Sequence, residues 1–393
     1  MGILCRVRPD GCLCGNQDWI GYSEYRTDLP GGRHANVATM RACLVRADGT
    51  GRTVLAEELI GDADTWTQFA GWSPDGRRAI LGCGWESPEN AAWEEEHKEF
   101  RMTEGWLCDA YLLDLSTGEL TNVTAVERIS DYNGGLFFLP DGKGLGFTAL
   151  IKGVSTPYVT DLNGRNKQDV SGGTGGFIYG YSASPDGQLI SYNEDYQVYM
   201  ANADGSGKQR VETGNAFNFA PRWSPDGQWL LFVSGVHGHS DPWIIRRDGT
   251  GLRKLTDLNG YQGWVLFLDV DDFHNGSSDL PAWGADGQWV YFTTRIDAQT
   301  TEIMRTQVDG RLEPLTRSTP GTLNYQPIPS PGGRGVCFGS NRTGTRQLYV
   351  TNSDGTVVDP ITHVSPGWGA MWPHWRPVFG QSPVPGGKGS SPR

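Results

Sequence analysis

Short apolar runs alternate with turn-forming residues along almost the whole chain. Around one turn, the strand-like runs 218–223 and 228–233 flank the phrase Ser-Pro-Asp-Gly at 224–227. These runs are rich in β-branched and aromatic residues, which favours β-strands. Proline fixes φ at the first turn position, and Asp-Gly supplies the positive φ values of a tight hairpin. The pattern therefore predicts an antiparallel, all-β chain.

Two turn phrases recur at regular intervals. The first, Ser-Pro-Asp-Gly in complete or shortened form, occurs at Ser73, Pro140, Ser184, Ser224, Asp286 and Ser330. The second, of the Asp-Gly type, begins at Asp48, Thr117, Asn163, Asp204, Asp248, Asp309 and Asp354. Repeats of about 40–50 residues with four short strands each are typical of a β-propeller. Seven turns of the second kind predict seven blades.

The two ends of the chain each supply part of one blade. The runs 18–23 and 41–45 read as a second and a third strand, but no first strand precedes them. The run 371–376 supplies the missing strand, so no sheet edge stays exposed. We predict an all-β, seven-bladed β-propeller closed by both termini, a single domain over residues 1–379. A flexible tail rich in Gly, Pro and Ser follows over 380–393.

Composition narrows the range of partners. The 393 residues carry a net charge of −12, which disfavours nucleic acid because such binding needs a basic patch. No apolar run approaches the roughly 18 residues of a membrane span. The seven cysteines fit no zinc spacing and read as buried free thiols. We expect a monomer, and the absence of a recognisable signal peptide at Met1 leaves the compartment open.

Most unusual residues map to one side of the predicted ring. In a propeller, the fourth-to-first and second-to-third strand loops emerge on the same side. We call this side, which carries segments 25–34, 84–105, 236–241 and 260–278, the loop face. Function collects on loops that a rigid frame holds, although insertions are also simply tolerated there. The candidate substrate-binding residues on this face are Arg33, His34, Tyr179, Asn218, His237, His239 and Arg346.

One insertion, between the second and third strands of the second blade, predicts a helix. Ser87 is suited to its N-cap and Pro88 to its first turn. Trp93, His97 and Arg101 are spaced by four, so they share a face. A ring to stack on a sugar, a proton-transfer group and a carboxylate clamp would then point the same way. The alternative is that Trp93 anchors the helix while His97 and Arg101 are solvated.

Polar groups that open the first strands surround the predicted channel mouth. Among them, Asp279 and Gln68 are candidate ligands for a Ca²⁺ ion in the central channel, since that ion prefers oxygen ligands. The pair His237 and His239, with Asp241, would alternatively bind a metal or hydrogen-bond a ligand. The chain has no dinucleotide fingerprint, P-loop or nucleophile elbow, so we expect no organic cofactor.

The repeats resemble those of a known group. The phrase Trp-Ser-Pro-Asp-Gly at 223–227 is similar to the repeats of TolB-type propellers, and the stretch 339–350 resembles propeller polysaccharide lyases. These include oligogalacturonate lyases and rhamnose–glucuronate lyases. The former use a His-rich metal cluster, but the stretch 324–327 here has no His. The latter type would imply a His base, Arg neutralisers and a channel Ca²⁺.

The resemblance implies a lyase that cleaves a uronate-containing glycan by β-elimination. A base takes the proton on C5, while Arg or a metal neutralises the neighbouring carboxylate. The catalytic candidates under this hypothesis are His97, Arg101, Arg342, Tyr325 and His274. Because the net charge repels an acidic glycan, the loop face must be locally positive, and its arginines are Arg26, Arg33, Arg101, Arg295, Arg342 and Arg346.

Two other functions fit the same sequence. The first is a non-catalytic, TolB-like propeller that binds a glycan or a protein. The second is a glycoside hydrolase, which needs paired carboxylates about 5–10 Å apart. Glu94, Asp271 and Asp279 are the candidates for that pair.

Overall fold

The chain forms a ring of seven four-stranded antiparallel blades. The computed structural model describes residues 18–99, 101, 105–125, 136–151, 154–173, 176–265, 267–271, 273 and 277–377. The predicted seven-bladed β-propeller is therefore confirmed. The boundary of the predicted tail at 380 lies outside the described residues.

The first four blades take up the N-terminal half of the chain. Blade 1 begins with β1 (Trp19–Arg26), β2 (Arg41–Arg46) and β3 (Thr53–Val54). Blade 2 comprises β4 (Thr65–Trp72), β5 (Arg78–Glu86), β6 (Trp106–Asp114) and β7 (Leu120–Asn122). Blade 3 comprises β8 (Phe137–Phe138), β9 (Gly144–Ile151), β10 (Val154–Asp161) and β11 (Gln168–Asp169). Blade 4 comprises β12 (Ile178–Ala183), β13 (Leu189–Glu194), β14 (Gln197–Asn202) and β15 (Gln209–Arg210).

The remaining blades follow in order around the ring. Blade 5 comprises β16 (Phe217–Trp223), β17 (Trp229–Val236), β18 (His239–Arg246) and β19 (Arg253–Lys254). A small hairpin of β20 (Trp264–Val265) and β21 (Ser277–Ser278) follows it. Blade 6 comprises β22 (Ala282–Trp283), β23 (Trp289–Arg295), β24 (Thr301–Gln307) and β25 (Leu312–Pro314). Blade 7 comprises β26 (Asn324–Pro329), β27 (Gly335–Ser340), β28 (Gln347–Asn352) and β29 (Val358–Pro360). The last strand, β30 (Trp368–Trp375), returns to blade 1.

The ring closes as the sequence predicts. Strand β30 pairs antiparallel with β1, with Trp375 opposite Ile20 and Trp368 opposite Arg26. The first strands of neighbouring blades contact one another, which puts them around the central axis. Apolar side chains of blades 1 and 7 also share one core, in which Ile20 packs with Leu348. Blades 1 and 2 and blades 2 and 3 share apolar clusters in the same way.

The turns opposite the loop face owe their shape to a repeated hydrogen-bond pattern. In the turn of blade 2, the Ser73 hydroxyl donates to Asp75 at 2.6 Å and accepts the Arg78 N–H at 2.9 Å. Gly76 takes the left-handed φ of 64° that the tight turn requires. The same bonds recur in blades 4 and 5. This local chemistry explains why the complete Ser-Pro-Asp-Gly phrase marks the turns of blades 2, 4 and 5 so clearly.

Helices occur only as short insertions within the described residues. They are α1 (Gly32–Val37), a 3₁₀ turn (Glu57–Ile60) and α2 (Pro88–His97). The predicted N-cap of α2 is confirmed, since the Ser87 hydroxyl accepts the Asn90 N–H at 3.0 Å. None of the described helices is long and apolar enough to cross a bilayer. The four described cysteines, Cys43, Cys83, Cys108 and Cys337, are free thiols.

Candidate functional site

A cavity of about 170 Å³ opens on the loop face, between blades 6 and 7 and beneath the insertion that follows blade 5. A buried water needs only about 10–15 Å³ of such space, so the cavity has room for a small ligand. Its lining is largely polar, and consists of Gly260, Tyr261, Gln262, Gly263, Val265, Asp279, Thr293, Arg295, Ala298, Gln299, Thr300, Thr301, Leu323, Asn324 and Tyr325.

Backbone contacts fix the insertion against blade 6. The Arg295 N–H donates to the Gly260 carbonyl at 2.9 Å, and the Asp279 N–H donates to the Gly263 carbonyl at 3.2 Å. A Cβ atom at Gly260 would lie 2.1 Å from the Thr294 hydroxyl, so only glycine permits this approach. The cavity wall is therefore held by main-chain bonds rather than by side chains alone.

Asp279 is the titratable group at the base of the cavity. The residue is buried, and burial raises the pKa of its carboxyl group to about 7. Interactions with the Thr293 hydroxyl and the Gln326 backbone N–H favour the charged form and offset part of that rise. No lysine or arginine pairs with this carboxylate among the described residues. Asp279 therefore changes its charge near neutral pH.

Tyr325 brings a phenol to the same cavity. Its ring is buried against Gly339, where a Cβ atom would lie 1.9 Å from the ring. Burial raises the pKa of the hydroxyl. That buried hydroxyl has no hydrogen-bond partner among the described residues. A buried polar atom without a partner is uncommon, and a ligand's polar group would satisfy it.

A strained residue connects the cavity to two neighbouring blades. Gln326 has a left-handed φ of 53° and lies at a bulge in the pairing of β26 with β27. Its N–H donates to Asp279 at 2.9 Å, and its side-chain oxygen accepts the Trp372 N–H at 2.8 Å. Bulges and strained backbone occur often next to binding sites because the surrounding structure holds them there. The sequence contains no local signal for this bulge.

Arg295 supplies the positive charge of the cavity. It ends β23, and its guanidinium makes no ion pair or hydrogen bond with another described residue. An unpaired guanidinium can hold both oxygens of a carboxylate. The sequence has no feature that distinguishes Arg295 from the other arginines of the loop face.

Trp93 and His97 share a face of α2, as their spacing predicts, but the helix ends at His97 because Lys98 adopts a left-handed conformation, so Arg101 lies beyond it. The three side chains nevertheless contact one another. The Trp93 and His97 rings stack at 4.2 Å, and the Arg101 guanidinium lies 4.2 Å from the Trp93 ring. His97 is exposed, and its Nδ1 lies 2.8 Å from the Trp93 carbonyl oxygen of its own helix. Arg101 Nε donates to Asn90 at 2.9 Å. None of the three lines the cavity, and their predicted catalytic and sugar-stacking roles stay predictions.

Arg33 and His34 belong to a buried ionic cluster beneath α2. Arg33 pairs with Glu86 at 2.5 Å and with Glu94 at 3.5 Å. His34 lies 3.1 Å from Glu86 and 3.1 Å from Asp64, and the hydrogen bond with Glu86 raises the pKa of its imidazole. These contacts anchor the helix. Because their polar atoms already have partners, the substrate-binding role that the sequence predicts for Arg33 and His34 stays a prediction.

The two arginines near β28 also have internal partners. Arg342 donates to Asn324 at 3.0 Å and to Ser340 at 3.1 Å. Arg346 pairs with Asp269, which fixes part of the insertion after blade 5 to blade 7. Both guanidinium groups are therefore engaged within the protein. The carboxylate-clamp role predicted for Arg342 and the substrate-binding role predicted for Arg346 stay predictions.

The remaining candidates on blades 4 and 5 are brought close together. Asn218 is buried and accepts the Ser234 hydroxyl at 2.6 Å. Tyr179 is also buried, whereas His237 and His239 are exposed. Asp241 binds Thr256 and the backbone of residues 258 and 259 rather than either histidine. The binding roles of these residues stay predictions.

The predicted Ca²⁺ site has no carboxylate cluster among the described residues. Within the described ranges, no group of three or more His, Cys, Asp or Glu side chains is arranged so that it could hold a metal ion. Asp279 and Gln68 lie on blades 6 and 2, and no described contact joins them. Ca²⁺ normally takes six to eight oxygen ligands, so one carboxylate is too few. The bound Ca²⁺ ion stays a prediction. His274 lies outside the described residues.

No family model matches the chain. The chain is 36% identical over 55 residues to the Tol-Pal system protein TolB of Syntrophus aciditrophicus, covering 14% of this chain and 12% of that protein. It is 29% identical over 217 residues to dipeptidyl-peptidase 5 of Porphyromonas endodontalis, covering 45% of this chain and 31% of the peptidase. The chain thus spans a third or less of these relatives' length.

A solved lyase has the same fold. The oligogalacturonate lyase of Vibrio parahaemolyticus superimposes with a TM-score of 0.53 at 13% identity, over 77% of this chain and 84% of the lyase. Identity at this level shows the fold alone. The predicted TolB-like propeller, similar in fold to oligogalacturonate lyase, is confirmed. The proteins of similar sequence or fold include a peptidase and a lyase.

Proposed function

We propose that this propeller binds a uronate-containing oligosaccharide on the loop face, with one uronate unit in the cavity between blades 6 and 7. The observation that carries the proposal is that the Arg295 guanidinium lines the cavity without an ion pair to another described residue. The other five arginines of the loop face are engaged in internal contacts; they are Arg26, which pairs with Asp28, and Arg33, Arg101, Arg342 and Arg346. Arg295 alone among the arginines lines the cavity, and it has no internal anion among the described residues.

The rest of the lining suits a hydroxyl-rich ligand. Asn324, Thr301 and Gln299 offer amide and hydroxyl groups, and the buried hydroxyl of Tyr325 has no partner among the described residues. Pockets with a few convergent polar groups bind small polar ligands specifically, because those groups fix the ligand's orientation. The carboxylate of a uronate would pair with Arg295, and its hydroxyl groups would bind the other polar atoms.

The test compares a uronate oligosaccharide with its carboxyl-reduced analogue by titration calorimetry. Arg295→Gln should weaken binding of the uronate on the order of tenfold or more and leave the reduced analogue unchanged, since a charged pair contributes about 1.5–3 kcal/mol. Arg334→Gln, a matched change of an exposed arginine in the turn between β26 and β27, should change neither affinity. Equal effects of Arg295→Gln on both ligands would reject the proposal.

A lyase is the second candidate function, because the cavity also holds proton-transfer groups. The carboxylate of Asp279, with its pKa of about 7, would take the proton from C5 of the uronate near neutral pH. The electrons of that C–H bond form the C4–C5 double bond as the bond from C4 to the glycosidic oxygen breaks. The Tyr325 hydroxyl would donate a proton to the leaving oxygen, and Arg295 would neutralise the carboxylate.

The lyase is tested by the ultraviolet absorbance of the unsaturated uronate product. Incubation with a panel of acidic glycans should give that absorbance with the unmodified chain and lose it in Tyr325→Phe, while Tyr325→Phe still binds the uronate. Silence across a panel that the protein demonstrably binds would reject the lyase and leave a binding protein.

A further inference from the structure

An aromatic row runs from the rim of the loop face to the cavity. Tyr196 and Phe217 have ring centroids 5.2 Å apart, and Phe217 lies 4.7 Å from Phe219. Phe219 in turn lies 5.9 Å from Tyr261, which lines the cavity. The row therefore connects blades 4 and 5 with the proposed uronate site without a break.

The outer end of this row is open to solvent. Tyr196 is 49% exposed, Phe217 is half-buried, and the exposed His237 ring meets Phe217 edge-on at 5.0 Å. The inner members, Phe219 and Tyr261, are buried. Gly263 closes over Phe219, since a Cβ atom there would lie 2.8 Å from its ring. Only the outer rings are available to a ligand.

The backbone at Tyr196 is strained. Asp195 and Tyr196 form the two-residue loop between β13 and β14. Their φ angles are 48° and 59°, both in the left-handed region. A turn of this type favours Asn or Gly, and a bulky residue at positive φ is strained. Hydrogen bonds hold the strained turn: the Asn218 N–H donates to the Tyr196 carbonyl at 2.9 Å. A glycine there would relieve the backbone strain but would lose the ring contact with Phe217.

We propose that Tyr196, Phe217 and His237 form a second saccharide subsite, and that the ligand is an oligosaccharide long enough to reach from this subsite to the cavity. The inference rests on the proposed function. A pyranose presents C–H groups to the face of an aromatic ring and hydroxyls at its edge. The exposed Tyr196 ring and the accessible part of the Phe217 ring would stack on these C–H groups. The exposed His237 imidazole would hydrogen-bond the hydroxyls. Continuity with the cavity favours this ligand over a protein partner.

The test measures the affinity of a monomeric uronate and of a long oligouronate by titration calorimetry. The unmodified chain should bind the oligomer more tightly. Tyr196→Gly should weaken oligomer binding on the order of tenfold, the loss of one stacked ring, and leave the monomer unchanged. It should remain folded, because glycine adopts the positive φ of this turn without strain. Tyr196→Phe should retain oligomer affinity because it keeps the ring.

A matched control removes another exposed apolar side chain. Leu312 is 38% exposed and opens β25, away from the aromatic row, so Leu312→Ala should change neither affinity. If the unmodified chain binds monomer and oligomer alike, or if Tyr196→Gly binds the oligomer normally, the second subsite is wrong and the ring cluster is left to a protein partner. The proposed function would survive that outcome. No binding of either ligand would overturn both proposals.

Discussion

Replacing Asp279 by asparagine should stabilise the fold, and increasingly so as the pH rises. The carboxyl group is buried, with a pKa raised from 3.8 to about 7, so the folded chain resists its ionisation. A group whose folded pKa is raised gives its full stability below the unfolded pKa and loses it as pH rises through the folded pKa. The asparagine amide would stay neutral throughout, and its oxygen would still accept the Gln326 N–H.

The size of the effect follows from the two pKa values. Each unit of pKa difference between the folded and unfolded chain corresponds to about 1.4 kcal/mol. The rise from 3.8 to about 7 therefore amounts to about 4 kcal/mol. The free energy of unfolding of Asp279→Asn, minus that of the unmodified chain, should rise by about this amount between about pH 4 and pH 8 and then level off.

Urea denaturation at a series of pH values measures this difference. Groups that titrate equally in both proteins cancel, and equal slopes of free energy against urea would show that both unfold to the same extent. The reasoning is refuted if the difference is flat across this pH range, or if it falls as pH rises. Either result would mean that Asp279 is ionised or solvated in the folded chain.

Two further changes test how the loop face is held together. Gln326→Ala removes the acceptor of the Trp372 backbone N–H, and should lower the free energy of unfolding by about 1 kcal/mol because a partly buried donor loses its partner. Urea denaturation measures this loss, and no change would mean that water replaces the amide. Arg33→Ala leaves Glu86 and Glu94 buried without their cation, and should cost about 3–5 kcal/mol in the same assay. A loss under about 1 kcal/mol would show that the cluster is hydrated rather than buried.

The blade architecture could be predicted because its signals are local. Each Ser-Pro-Asp-Gly turn satisfies its own backbone within a few residues, as the bonds of Ser73 and Asp75 show. The incomplete blade at each end of the chain likewise predicted the pairing of β1 with β30. Ser87 indicated the start of α2 for the same reason, since an N-cap acts over three residues.

The cavity could not be predicted because it depends on distant segments. Asp279 precedes the first strand of blade 6, Arg295 ends β23 and Tyr325 lies in blade 7. The backbone at Gln326, next to Tyr325, bonds Asp279 at a bulge for which the sequence has no local signal. Spacing by four correctly put His97 on the same face as Trp93. It did not reveal that the two rings stack on each other, because sequence shows which residues can meet and not which contacts they prefer.

The central claim is that the ligand lies in the cavity between blades 6 and 7. A crystal structure of the chain with a bound oligouronate tests this most directly. We predict electron density for a carboxylated sugar in the cavity, with its carboxylate on Arg295 and the chain of sugars leading towards Tyr196. Density on the α2 face instead, against Trp93 and Arg101, would contradict the account.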